Sequence, residues 1–183
     1  MGFQSGLSGL NTSAKNLDVI GNNVANSSVV GFKGAQAQFA DVFANSLTGA
    51  GAGQIGIGSK VANVAQQFTQ GNISVTSNPL DIAVNGKGFF RMDQAGAVSY
   101  TRNGQFHLSR DGEIVNADGL VIQPSITIPE GAQSLTIGKD GTVSVVLPGE
   151  PEAQQIGSLT LTDFINPAGL EAIGGNLFLE TTA

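Results

Sequence analysis

Apolar residues at the start of the chain recur at steps of four and three. Phe3, Leu7, Leu10, Ala14, Leu17 and Val24 fall on one line, with Gly21 in the remaining slot. The spacing predicts a helix over residues 1–27 carrying a heptad stripe of about three repeats. Two uses fit such a stripe: packing on the chain's own domain, or pairing with another chain. Three features favour the second. Gly2, Gly6, Gly9 and Gly21 each cost a helix roughly 1 kcal/mol relative to alanine, and isolated helices this short are already marginal. The segment is therefore expected to order when a partner covers it. The remaining surface carries Ser5, Asn11, Thr12, Asn16 and Asn22 instead of Glu/Lys pairs, and uncharged polar groups suit contact with other chains. Finally, no second heptad stripe occurs anywhere in the 183 residues.

The pattern changes after Asn26. Val29 and Val30 precede Gly31-Phe32-Lys33, and Phe39, Val42, Phe43 and Leu47 then sit at helical spacing within residues 36–47. That stretch predicts either a short second helix or an irregular extended arm. Residues 48–58, TGAGAGQIGIG, have the composition of a flexible loop. From Val61 onward the period is two. Leu80, Ile82 and Val84 alternate with polar or small residues, as do Val143, Val145 and Leu147, Leu135 with Ile137, and Leu159 with Leu161. Asn85-Gly86, Asn103-Gly104, Asp111-Gly112, Asp118-Gly119 and Asp140-Gly141 punctuate this region. Such pairs favour tight hairpin turns because both central residues tolerate positive φ. Residues 76–183 are expected to form an antiparallel β-domain with Phe89, Phe90, Phe106, Phe164 and Phe178 in its core, and Pro167-Ala168-Gly169-Leu170 marks a late turn.

Composition narrows the function classes. Charged residues are only 12% of the chain against 40% hydrophobic, about half the usual globular share of charge. A surface so poor in charge suits burial between subunits. The net charge of −6 and the scattered basic residues argue against nucleic acid, since phosphate contacts need clustered Lys and Arg. No stretch approaches the roughly 18 apolar residues of a membrane span, so no membrane insertion is expected. No basic region followed by an apolar block opens the chain, so no cleavable secretion signal is expected. The absence of cysteine excludes disulfides and thiolate metal sites.

Candidate chemistry is sparse. Gly51-x-Gly53-x-x-Gly56 fits a dinucleotide fingerprint but lacks the strand before it and the helix after it. His107, the single histidine, can serve neither a two-histidine metal site nor, alone, a triad. It reads as a solvent-facing strand residue. Asp111, Glu113 and Asp118 lack calcium-loop spacing and are explained by Asp-Gly turns. The triplets at Asn11, Asn26 and Asn72 fit a glycosylation sequon by chance. No catalytic residue, cofactor or metal is expected.

Three stretches carry a resemblance. Residues 16–33, NLDVIGNNVANSSVVGFK, resemble the shared N-terminal motif of bacterial flagellar rod and hook proteins, at Asn22, Asn23, Ala25, Asn26, Gly31, Phe32 and Lys33. Residues 68–90, FTQGNISVTSNPLDIAVNGKGFF, and residues 100–119, YTRNGQFHLSRDGEIVNADG, follow in family order. Residues 1–120 look most like the hook protein and residues 121–183 most like the distal rod protein. The resemblance implies export through the flagellar type III apparatus and helical polymerisation, with itself and with other flagellar axial proteins, into a torque-transmitting tube. It also implies an N-terminal helix paired with a C-terminal helix on the inner wall. Phe3, Leu7, Leu10, Ala14, Leu17, Val24, Asn22, Asn23, Asn26, Gly31, Phe32 and Lys33 are then the expected self-assembly residues.

The expected architecture is mainly β with an N-terminal α-helix. It comprises a long helix over 1–27 that lacks its C-terminal partner, an irregular connecting arm over 28–75, and the antiparallel β-domain over 76–183. The expected function is a structural subunit of the flagellar hook or distal rod, in the basal body or hook. A secreted β-rich adhesin or phage-tail-like fibre component would share the glycine content and neutral surface. It would not explain a heptad stripe joined to the Asn-rich motif, and no repeat of fixed period supports it.

Overall fold

The computed structural model describes residues 2–43, 56–94, 96–149 and 152–182. Among the described residues there is one α-helix, α1 (Gly2–Ala25), and the strands pair antiparallel. The chain divides into two compact units, residues 1–29 with 33–68, and residues 30–32 with 69–183.

The first unit is α1 with a hairpin of β1 (Ala35–Phe43) and β2 (Gly56–Gln66). The stretch predicted as a second helix or irregular arm is thus a strand over Ala35–Phe43. The reason lies in where its apolar residues fall. Phe39 and Phe43 are exposed while Val42 between them is half-buried, so apolar residues occupy both faces of the strand and no period of two shows. Register slips opposite Gln38/Phe39 and Val42/Phe43, where Ala62 and Ile57 of β2 are the extra residues. Leu47 and most of the glycine-rich loop, including Gly51 and Gly53 of the fingerprint, lie outside the described residues.

The second unit holds the remaining strands: β3 (Phe89–Gln94), β4 (Ala97–Thr101), β5 (His107–Leu108), β6 (Ile114–Val115), β7 (Val121–Gln123), β8 (Ser134–Ile137), β9 (Thr142–Val146), β10 (Gln154–Ser158), β11 (Leu161–Thr162), β12 (Glu171–Gly174) and β13 (Leu177–Leu179). One sheet runs β12-β13-β4-β3-β7-β6-β5, with β11 also paired to β3, and a second runs β10-β9-β8. Phe90, Met92, Phe106, Ile114, Leu120, Ile122, Ile126, Val143 and Val145 belong to one buried apolar cluster. Alternation puts adjacent residues on opposite faces of a strand. Phe90 meets Phe106 edge-on at 5.1 Å, while Phe89 meets Phe164 at 5.5 Å and Phe178 at 6.0 Å. Both faces of β3 are therefore covered. Four of the five expected core phenylalanines are buried, and Phe164 is half-buried.

Two expectations change in detail. Leu80 and Val84 are buried and Ile82 half-buried, yet residues 80–84 form no strand: Asp81 bridges Gln105 and Ile82 N donates to Gly104 O at 2.8 Å. Gly104 serves close approach, because a Cβ there would lie 1.5 Å from Ile82 O. The Asp-Gly turns also differ from a two-residue hairpin turn. In each, only the glycine takes positive φ: Gly112 and Gly119 at 79° and Gly141 at 84°. Ser109 N donates to Glu113 O at 2.8 Å and Gly112 N to Ser109 O at 3.1 Å. The same pair of bonds recurs at Asn116–Leu120 and Gly138–Thr142. These are three-residue loops closed by a left-handed glycine bulge. In the last, the Thr142 hydroxyl and N–H both donate to Asp140 Oδ1, at 2.7 and 3.2 Å, and hold its carboxyl below its ordinary pKa.

Candidate assembly surface

A helix turns about 100° per residue, so α1 carries two stripes on nearly opposite faces. Ser5, Ser8, Gly9, Thr12, Asn16, Val19 and Asn23 are half-buried. This face is small and polar, and it meets the hairpin. Ser5 Oγ donates to Ile57 O at 3.2 Å, Ser8 Oγ accepts from Ser59 N at 3.3 Å, and Thr12 Oγ1 lies 3.0 Å from Ser59 Oγ. Asn23 closes the far end with two bonds to the backbone of Ala35.

The other stripe is open. Phe3 is 85% exposed, Leu10 69%, Leu17 67% and Val24 67%, with Leu7 and Ile20 also exposed. Ala14 is exposed as well. Burying each large apolar side chain is worth about 1.5–3 kcal/mol, which exceeds the roughly 1 kcal/mol cost of each helical glycine. A partner that covered this stripe would therefore more than offset the glycines. Among the described residues the one ion pair is Lys15–Asp18 at 3.3 Å, exposed on α1, and exposed pairs contribute little.

The Asn-rich motif ends the helix. Asn26 donates from its backbone N (3.1 Å) and its Nδ2 (2.9 Å) to Asn22 O, and Ser27 Oγ donates to Val24 O at 2.8 Å. These bonds occupy carbonyls that the last helical turn leaves without partners. Gly31 has φ 76° and a Cβ there would lie 2.7 Å from Asn103 backbone, while Asn176 Nδ2 donates to Val30 O at 3.1 Å. Residues 30–32 accordingly belong with the β-domain. Phe32 and Lys33 are half-buried.

The structure thus gathers Phe3, Leu7, Leu10, Ala14, Leu17 and Val24 into one stripe, puts Asn22 and Asn26 at its end, and places Gly31 elsewhere. It turns Asn23 inward. Part of the polar face expected to meet other chains, Ser5, Thr12 and Asn16, meets the chain's own hairpin. Sequence reasoning passed over Ile20, Ser8 and Val19. A second run of four-three spacing, of small and polar residues from Ser5 to Asn26, was the available signal. His107 is exposed on β5, as expected. No cluster of His, Asp or Glu suited to a metal occurs among the described residues, and no described helix is long and apolar enough to cross a membrane.

The open apolar stripe of α1 is a surface of the kind that structural assembly proteins bury against other subunits. Residues 83–145 match the flagellar hook protein FlgE/F/G D1 domain family, and residues 3–33 match the flagella basal body rod protein family. The chain belongs to the flagellar rod and hook protein family, which is structural and not enzymatic. It is 40% identical to the flagellar basal-body rod protein FlgG of Caulobacter vibrioides, over 99% of this chain and 74% of that protein. Against FlgG of Bacillus subtilis the identity is 37%, covering 97% and 72%. Against the flagellar hook protein FlgE of Escherichia coli it is 44%, covering 78% of this chain and 36% of that protein. The expected likeness to both hook and rod proteins is borne out.

Proposed function

We propose that this chain is a subunit of the flagellar rod or hook that polymerises with copies of itself and with other axial proteins into a helical, torque-transmitting tube. The observation that carries this reading is the open apolar stripe of α1, on the face opposite its hairpin. Names of relatives aligned over nearly the whole chain support it. The self-assembly residues are Phe3, Leu7, Leu10, Ala14, Leu17 and Val24 on the stripe. Asn22 and Asn26 end the helix, and Gly31, Phe32 and Lys33 set the chain path beyond it. The sparse surface charge suits subunit contacts, and passage through a type III export apparatus fits a helix held by few buried groups.

The test is concentration-dependent association of the full chain, followed by analytical ultracentrifugation. Leu10→Asp with Leu17→Asp should weaken association by about 100-fold or more, because each places a charge in an apolar seam. His107→Asp, on the exposed β5, should leave it unchanged. Association that survives the double substitution, or a chain that stays monomeric at high concentration, would overturn the reading.

A further inference from the structure

We propose that Asn23 is a positioning residue that fixes the rotational setting of α1 on its hairpin, so that the apolar stripe is presented to a second copy of this chain. The inference rests on the assembly reading above and adds the residue that aims the stripe.

Asn23 Nδ2 donates to Ala35 O at 2.8 Å, and Asn23 Oδ1 accepts from Ala35 N at 2.9 Å. One side chain thus uses both backbone groups of Ala35, as a neighbouring strand would. The pair fixes the amide's orientation, since a flip would set N–H against N–H and carbonyl against carbonyl. Asparagine offers one donor and one acceptor at this reach. Aspartate keeps only the acceptors, and alanine neither. A Cβ at Gly34 would stand 3.5 Å from Asn23 Oδ1, an ordinary contact, so the amide lies against the backbone just before Ala35.

At the other end of the helix, a Cβ at Gly58 would lie 2.1 Å from Ser8 Oγ. The Ser8 and Thr12 contacts to Ser59 hold that end on the same face. A roll of about 100°, one residue's worth, carries all of these groups out of reach. Such a lock matters because apolar contact is stronger and non-directional. Left to burial alone, α1 would turn its leucines onto the hairpin and close the seam. The polar contacts are weaker but directional, and they select the face.

The chain has no cysteine, so engineered pairs report the setting without background. Thr12 Oγ1 and Ser59 Oγ are 3.0 Å apart, and the Thr12→Cys, Ser59→Cys variant should form its intramolecular disulfide readily in dilute monomer. Leu10→Cys with Ser59→Cys should not, because Leu10 is on the open face. Adding Asn23→Ala or Asn23→Asp should shift the ratio of the two cross-links about tenfold towards the second pair, and should weaken association by a similar factor. An unchanged ratio in both variants overturns the inference, as does loss of the 12–59 cross-link with no gain of the 10–59 cross-link, which would mean that Asn23 merely keeps α1 folded. A 12–59 cross-link that depends on Asn23 in a chain that never associates would support the setting and overturn the assembly reading instead.

Discussion

In the β-domain, Phe89, Met92, Ile114, Ile122, Val143 and Val145 are fully buried. In the helix–hairpin unit, Ala37 is the buried hydrophobic residue among those described, and Phe3, Leu10 and Leu17 stand in solvent. The same residue types meet opposite fates within one chain. The β-domain gathers Phe90, Met92, Val143, Val145 and their neighbours into a core shared by two sheets, while Val75 and Ile165 stay exposed. The helix–hairpin unit holds together through hydroxyls, an amide and backbone groups, and leaves its apolar side chains outward. Hydrogen bonds are worth about 1 kcal/mol net, against about 1.5–3 kcal/mol for a buried large apolar side chain. A unit built this way is weakly held alone and strongly rewarded by a partner. The difference between the two units is what makes the chain read as a part of something larger.

The comparison breaks most sharply under truncation. Phe90→Ala should destabilise the β-domain by about 3–5 kcal/mol, seen as a lower denaturation midpoint. Leu17→Ala, a similar loss of apolar volume, should stay within about 0.5 kcal/mol in the monomer and act on association alone. Equal effects on monomer stability would erase the distinction between the units.

Gly21→Ala sharpens the same contrast from the opposite side. No atom lies within 4 Å of a Cβ built at Gly21, so alanine fits and should favour α1 by about 1 kcal/mol. Increased helical circular dichroism in the monomer is the check.

The smallest effect concerns pH. Tyr100 is the single tyrosine, in a chain without tryptophan, so the phenolate band reports it alone. Burial, and then the charge of Glu180, push its pKa above the ordinary tyrosine value. Its folded pKa is raised, so its contribution to stability is fully present at neutral pH and declines as pH rises from about 10 through the folded midpoint. Tyr100→Phe should remove that alkaline loss. A titration at the unfolded value would show that the second aromatic face of β3 is open to water.

The sequence by itself determined the large divisions. Four-three spacing from Phe3 to Val24 specifies a helix, and period two with Asp-Gly punctuation specifies a sheet, because side-chain direction follows backbone periodicity. It also marked the apolar stripe, since no other stripe in the chain could match it. Tertiary structure decided what periodicity cannot encode. β1 was disguised because its apolar residues fall on both faces, Phe39 and Phe43 exposed and Val42 half-buried, so period two does not show. Gly104 looked like a turn residue, but its role is set by the Ile82 carbonyl, far from it in sequence. Which face of α1 the hairpin takes depended on Asn23 meeting Ala35 and Ser8 meeting Ser59. Such pairings join residues that only the folded chain brings within hydrogen-bonding distance, so no local pattern announces them.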